Sequence, residues 1–260
     1  MISAVILSKN NASTIQRTLV SVAWCDEIIC IDDFSSDRTA GIVRKNKADV
    51  LQRHLNDDFA AQRNFGLENA RGEWILFVDS DEVVSRELKE EILEKITNHN
   101  FQITKKSQIS NTNTTSGFYI KRKDFFLGRE LRHGETAHVT LLRLAKRGAG
   151  IWKRPVHEYW DINGTTDTLE NPLLHYPHTD VAQFITEINR YTTINAHYLN
   201  KNGVRSNLFA IVAYPAGKFF QNYFLRLGFL DNTPGCIMAI LMSFHSFLTR
   251  AKLFILNRML

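Results

Sequence analysis

The run Trp74-Ile75-Leu76-Phe77-Val78, closed by Asp79-Ser80-Asp81-Glu82, restricts the fold of this chain more than any other stretch. Five apolar residues without polar alternation read as a strand buried on both faces. Buried strands of this kind belong to parallel sheets covered by helices. In open parallel sheets, ligands bind beyond the carboxyl ends of the strands. The acids after Val78 therefore sit where such a sheet does its chemistry.

The rest of the first hundred residues repeats the alternation. Ala4-Val5-Ile6-Leu7 and Ile28-Ile29-Cys30-Ile31 are further buried strands, and Asp49-Val50-Leu51 is a shorter one. Between them, Ile15, Leu19 and Val22 recur at helical spacing behind the capping residues Asn10 to Ser13. Ser35, Ser36 and Asp37 cap a helix through Val43, and residues 59–70 form another. Ser85 caps an acidic helix with Leu88, Ile92, Leu93 and Ile96 on its apolar face. Strands alternating with helices predict a doubly wound α/β sheet. Residues 98–116 are rich in Asn, Thr, Ser, Gln and Lys and read as a mobile loop. Strands are expected at 117–121 and 137–144, and helices from about Val181 onward.

Two strands deliver acids to the same sheet edge, the second through Asp32-Asp33 and the fourth through Asp79 to Glu82. Carboxylates one residue apart after a strand can face a divalent cation. Mg²⁺ takes one or two carboxylates and completes its shell with phosphate oxygens and water. A nucleoside diphosphate needs such a cation on binding and again as a leaving group.

Four ordered segments carry a family resemblance. They are Ser8-Lys9-Asn10-Asn11, Ile31-Asp32-Asp33-Phe34-Ser35-Ser36-Asp37-Arg38-Thr39, Ala61-Gln62-Arg63-Asn64-Phe65-Gly66, and the run from Gly72 to Glu82. Together they resemble glycosyltransferase family 2, the inverting enzymes of GT-A fold. Phe126-Leu127-Gly128, Pro155-Val156-His157-Glu158, Leu174-His175-Tyr176 and Gly228-Phe229-Leu230-Asp231 are similar to a branch with lipopolysaccharide core-region β-1,4-glucosyltransferases. The polar segment 98–116 does not align with it. The resemblance implies a Rossmann-like, mostly parallel GT-A catalytic domain over residues 1–185. Its nucleotide-sugar half covers about 1–97, its acceptor half about 117–185, and a basic, apolar helical extension follows over 186–260. It further implies that Asp33 binds the base or ribose, with Ser8 and Asn10 lining the same pocket. Arg63 belongs near the diphosphate, Asp79 at ribose or metal, and Asp81 on the metal, Mg²⁺ or Mn²⁺. The implied donor is a nucleotide sugar, UDP-glucose favoured. The implied acceptor is a lipid-linked saccharide, a heptose of the lipopolysaccharide inner core favoured.

Inverting transfer needs a base for the acceptor hydroxyl. Glu158 is the expected base, in Arg154-Pro155-Val156-His157-Glu158-Tyr159-Trp160, with His157 orienting it, contacting the diphosphate or completing the metal shell. An Arg154–Glu158 salt bridge is the structural alternative. Glu135 is the rival base, Arg143, Lys153 and Arg154 could neutralise the leaving group, and Trp152 and Trp160 could stack on a sugar. His175 and His178 read as hydrogen-bonded residues at the domain's end rather than as a ligand cluster.

Charge is unevenly spread. From Arg190 onward the chain has eight Lys or Arg against the single acid Asp231, among long apolar stretches. A basic apolar tail predicts an anionic membrane surface as partner, or else packing on the catalytic domain or in a homo-oligomer. Because these bases accompany apolar residues, nucleic acid is not an expected partner. The 13 uncharged residues 236–248 are too few for a span of about 20. The three cysteines match no disulfide or metal spacing and predict reduced thiols. Without a basic leader or signal peptide, the expected location is cytoplasmic, peripheral on the inner face of the bacterial inner membrane.

Overall fold

The computed structural model describes residues 1–105, 115–177 and 181–259. In chain order, β1 (Ile2–Ser8), α1 (Ile15–Ser21), β2 (Glu27–Asp32), α2 (Thr39–Lys45), β3 (Asp49–Gln52), α3 (Phe59–Asn69) and β4 (Trp74–Asp79) alternate as the apolar runs predict. They are followed by β5 (Glu82–Val84), α4 (Arg86–Lys105), β6 (Thr115–Phe126), β7 (Arg129–Glu130), β8 (Thr140–Lys146), β9 (Gly150–Lys153), β10 (Tyr159–Ile162) and β11 (Thr165–His175). Three helices close the chain: α5 (Val181–Lys201), α6 (Leu208–Phe220) and α7 (Asn232–Arg258).

The main sheet has the order β3-β2-β1-β4-β8-β6-β11-β5. Pairing is parallel from β3 to β4 and antiparallel at β4–β8, β8–β6 and β11–β5. The parallel half brings Ser8 level with Asp32, and Leu7 level with Asp79. Both acidic strand ends thus share one edge. Trp74 to Val78 are fully buried, which is why that run carries no polar alternation. Burying each of these large side chains contributes about 1.5–3 kcal/mol.

Three expectations are corrected. Residues 98–105 continue α4 rather than forming a loop, since their Asn, Gln, Thr and Lys do not break a helix already growing from Ser85; residues 106–114 lie outside the description. No side chain caps α1, because Asn10 and Asn11 are engaged elsewhere: the Asn10 Oδ1 accepts from Ser36 N–H, and the Asn11 Oδ1 from Lys9 N–H. The strand expected from Ala137 starts at Thr140, after a 3-10 turn at Thr136–His138.

The chain divides into two compact units. The first holds residues 1–122 and 140–175, the second 123–139 and 176–260. In the second, α5 and α6 pack against α7, and Phe126 and Leu131 join Ile188, Met238 and Leu241 in its core. There Glu135 receives a bond from Lys218 Nζ at 2.7 Å, and His133 Nδ1 lies 2.8 Å from Asp231. Cys25, Cys30 and Cys236 are all unpaired thiols, as expected. Burial pushes the Cys25 and Cys30 thiols up to about 12, so neither is a thiolate at neutral pH.

Candidate active site

Asp79 ends β4 with both carboxylate oxygens engaged. Arg63 Nη2 donates to Oδ1 at 2.8 Å, and Arg143 Nη2 donates to Oδ2 at 2.5 Å. Arg63 comes from α3 and Arg143 from β8, the strand beside β4. Their side chains are 4% and 5% exposed. Arg63 also donates through Nε to Glu158 Oε1 at 2.8 Å, and its guanidinium lies over the Trp152 ring, 4.7 Å from the centroid. One fully desolvated cation therefore ties the acid of the fourth strand to the acid of the Pro155–Glu158 loop. A planar fork suits this geometry and an ammonium does not.

Glu82 completes the cluster from below. It accepts from the Asp79 backbone N–H at 2.8 Å, and Arg143 Nη2 lies 3.4 Å from its other oxygen. Burial alone would raise the pKa of Asp79. Arg143 and Arg63 outweigh burial and hold Asp79 well below the usual carboxylate range. For Glu82 burial wins over Arg143, with Asp79 adding to it, and its pKa is raised.

Asp81, two residues on, is partly exposed, and its Oδ2 lies 3.5 Å from His175 Nε2. The register that pairs His175 with Glu82 across β11 and β5 brings this imidazole to the turn. A carboxylate beside an imidazole fits a divalent cation whose other positions are filled by phosphate oxygens and water. Among the described residues no group of three or more His, Cys, Asp and Glu converges to enclose an ion. Asp79, with both oxygens on guanidinium groups, fits the role of ion ligand less well than Asp81 does.

Asp33 stands at the end of β2, 6% exposed. Lys9 Nζ donates to its Oδ2 at 2.6 Å, and the Leu55 N–H to its Oδ1 at 3.2 Å. Next to it Phe34, in left-handed backbone, stacks on His54 with centroids 4.0 Å apart. The Ser8 hydroxyl turns into the sheet, 3.1 Å from Cys30 Sγ and 3.3 Å from Asp32. Its carbonyl accepts from the Asp33 N–H at 2.9 Å, so the backbone of Ser8 sets that corner. Asn10, also left-handed, ties the β1 and β2 loops together through Ser35 and Ser36.

The remaining residues singled out in the sequence fall in different surroundings. Trp152 and Trp160 stack on each other at 5.4 Å and meet Phe77 edge-on, 5% and 4% exposed. They are core residues under the site and present no face to a sugar. Glu158 pairs with Arg63, not with Arg154. Arg63 spends its charge on two carboxylates of the chain itself. Lys153 is on the surface with Asp161 at 2.5 Å. His157 is exposed in left-handed backbone beside Glu158. Glu135 belongs to the second unit, where burial would raise its pKa but Lys218 and Asn222 lower it. His178 lies outside the described residues. The sequence reading missed Glu82 and Arg143 as partners of Asp79, and His175 as the neighbour of Asp81. Only strand register could have found His175.

The sequence profile of Glycosyl transferase family 2 matches residues 3–149, from β1 to the turn before β9. The family match and the fold together give a glycosyltransferase of GT-A type, with a mixed sheet flanked by helices and a long apolar helix at its C-terminal end. The chain belongs to glycosyltransferase family 2. It is 27% identical over 268 residues to an uncharacterized glycosyltransferase of Rickettsia felis, covering 97% of this chain and 89% of that protein. It is 24% identical over 260 residues to the lipopolysaccharide core biosynthesis glycosyltransferase LpsC of Rhizobium meliloti, covering 97% and 92%. Among solved structures, TarS 1-349 of S. aureus in complex with UDP-GlcNAc is similar at a TM-score of 0.49, with 15% identity over 99% of this chain and 91% of that one.

Proposed function

We propose that this glycosyltransferase moves a hexose, glucose favoured, from a uridine diphosphate sugar to a lipid-linked saccharide of the lipopolysaccharide inner core. The similarity to LpsC along nearly the whole chain supports the acceptor class. The observation that carries the mechanism is the Arg63 bridge between Asp79 and Glu158. Asp33 meets the base or ribose, with the Ser8 backbone and Asn10 shaping the same corner. Glu158 is anchored through Oε1 by Arg63, and its other oxygen takes the proton of the acceptor hydroxyl. The acceptor oxygen then forms its bond to the anomeric carbon from the face opposite the diphosphate. The bond to the diphosphate oxygen breaks, that oxygen keeps the electron pair, and the anomeric configuration inverts. His157, the preceding residue, orients Glu158. A bound Mg²⁺ or Mn²⁺, held by Asp81 with His175 beside it and Asp79 behind, would neutralise the leaving diphosphate. The enzyme works at the inner face of the bacterial inner membrane.

A panel of nucleotide sugars tested for turnover with Mg²⁺, Mn²⁺ or chelator, on wild type, Asp81→Ala and Glu158→Gln, checks this reading. Turnover is expected with a uridine diphosphate hexose and a divalent cation. Asp81→Ala is expected to lose it, and undiminished transfer would sink the metal assignment. Glu158→Gln is expected to bind donor yet transfer about 10²–10⁴-fold more slowly, the range a general base supplies. Normal transfer by that variant would remove Glu158 as the base.

A further inference from the structure

The helical part of the second unit leaves a broad apolar face that no other described residue covers. On α6, Phe209, Val212 and Phe220 are 78%, 65% and 53% exposed. Their spacing places them on one side of the helix. A π-helical turn at Gln221–Leu225 carries the face on through Phe224 and Leu225, and a 3-10 turn at Gly228–Asp231 adds Phe229. These are 48%, 67% and 42% exposed. A contiguous run of large exposed side chains marks an interaction surface.

The charge around this face selects among partners. Arg205 precedes α6, and Arg226 lies between Leu225 and Phe229. Asp231, the one acid after Arg190, has its carboxylate committed to the backbone and ring of His133. The apolar face is thus accompanied by cations and by no unbound acid of its own segment. Aromatic and aliphatic side chains flanked by Arg fit the boundary between acyl chains and anionic headgroups.

We propose that the outer face of α6 and the two turns after it dock in the plane of an anionic lipid surface, while α7 keeps its packing against α5 and α6 and does not cross the bilayer. This rests on the lipid-linked acceptor reading and deepens it. By length and composition Gly228–Arg258 could cross a membrane. Its contacts argue otherwise. Lys252 Nζ, on α7, lies 2.6–2.8 Å from four oxygens of Asn189, Thr192 and Thr193 on α5 and spends its three N–H donors among them. Asn257 Nδ2 bonds Asn200 of α5 at 2.7 Å. A spanning α7 would draw these polar groups and their helix into hydrocarbon, where each needs a partner in place of water. An in-plane α6 demands none of this.

The test uses the full chain and vesicles, with no turnover required. Co-sedimentation is measured with equal parts phosphatidylglycerol and phosphatidylethanolamine, and with phosphatidylcholine alone. Wild type is expected to bind the anionic vesicles about tenfold better, with the difference shrinking in high salt. The triple variant F209S/V212S/F220S is expected to lose vesicle binding, while keeping its circular dichroism and its turnover on a soluble acceptor fragment. Alkaline carbonate is expected to release the wild type. Equal binding by wild type and variant, no preference for anionic lipid, or resistance to carbonate each overturns the proposal. So does a wild-type dimer in light scattering that the triple variant dissolves without any change in vesicle binding. Loss of turnover on the soluble acceptor by the wild type would instead count against the transferase reading and leave the vesicle result standing.

Discussion

Arg63 holds two carboxylates with one guanidinium, and both lie in chemistry-bearing segments. The sequence shows Arg63, Asp79 and Glu158 as separate motif members. It does not show that the first joins the other two, because the pair Arg63–Glu158 spans 95 residues. Strand-end acids are legible in sequence since apolar runs announce the strand. Their counter-ions are not, since any surface arginine looks the same. The cluster has a pH signature. Asp79 has a folded pKa below its unfolded value of about 4, so it contributes stability above that pH. That contribution is lost as pH falls below it. Glu27, lowered despite its burial by bonds to Ser3 and Arg71, and the exposed Asp37, lowered against a partial loss of water by bonds to Thr39, add in the same direction. Glu82 acts oppositely, since its raised pKa makes ionisation within the fold unfavourable as pH rises. Urea unfolding of wild type is therefore expected to show a stability loss below about pH 4, and Asp79→Asn a flatter profile there. An unchanged slope in the variant would remove Asp79 as a cause.

Helix α3 must lie close to β1 for Arg63 to reach Asp79. Gly66, one turn after Arg63, provides the clearance: a Cβ there would meet Val5 Cγ1 at 2.5 Å. Both the helix and its glycine are readable in sequence, but the reason for the glycine needs the packing. Gly66→Ala is expected to destabilise the protein by about 1–3 kcal/mol through overpacking, read as a lower urea midpoint at unchanged slope. A neutral or stabilising effect would show that α3 can shift without strain. At this scale the parallel half of the sheet was legible because buried strands are continuous apolar runs. The antiparallel half was less so. β6 alternates burial over most of its length, whereas β11 buries only Leu169 and Leu173 and carries charged residues such as Asp167 and Glu170, so it shows no period of two. The extent of α4 was misread because composition, not periodicity, decided residues 98–105.

The two units interleave along the chain. The segment 123–139 sits with the C-terminal helices, held by Glu135–Lys218 and His133–Asp231 and by its apolar residues Phe126 and Leu131. A sequence read from start to end suggests one division near residue 185, since contiguous composition shifts are all it displays. Pairings 83 and 98 residues apart leave no local mark. Removing one of them tests how firmly the segment is held. Glu135→Gln is expected to speed amide hydrogen exchange across 129–139, with little change in β1, β2 and β4. Uniform acceleration throughout, or none, would mean that the ion pair does not hold this segment.

Interleaving also sets an order of events during synthesis. His133 leaves the ribosome 98 residues before Asp231. At about 5–20 residues per second, that is a wait of roughly 5–20 s. Until Ile188 of α5 follows, in the first part of that interval, Phe126 and Leu131 have no mate from the later helices, and sticky surface is open to other nascent chains. A chaperone that shields short aromatic stretches has its natural target here, and a slow-translating codon run after residue 139 would lengthen the hazard.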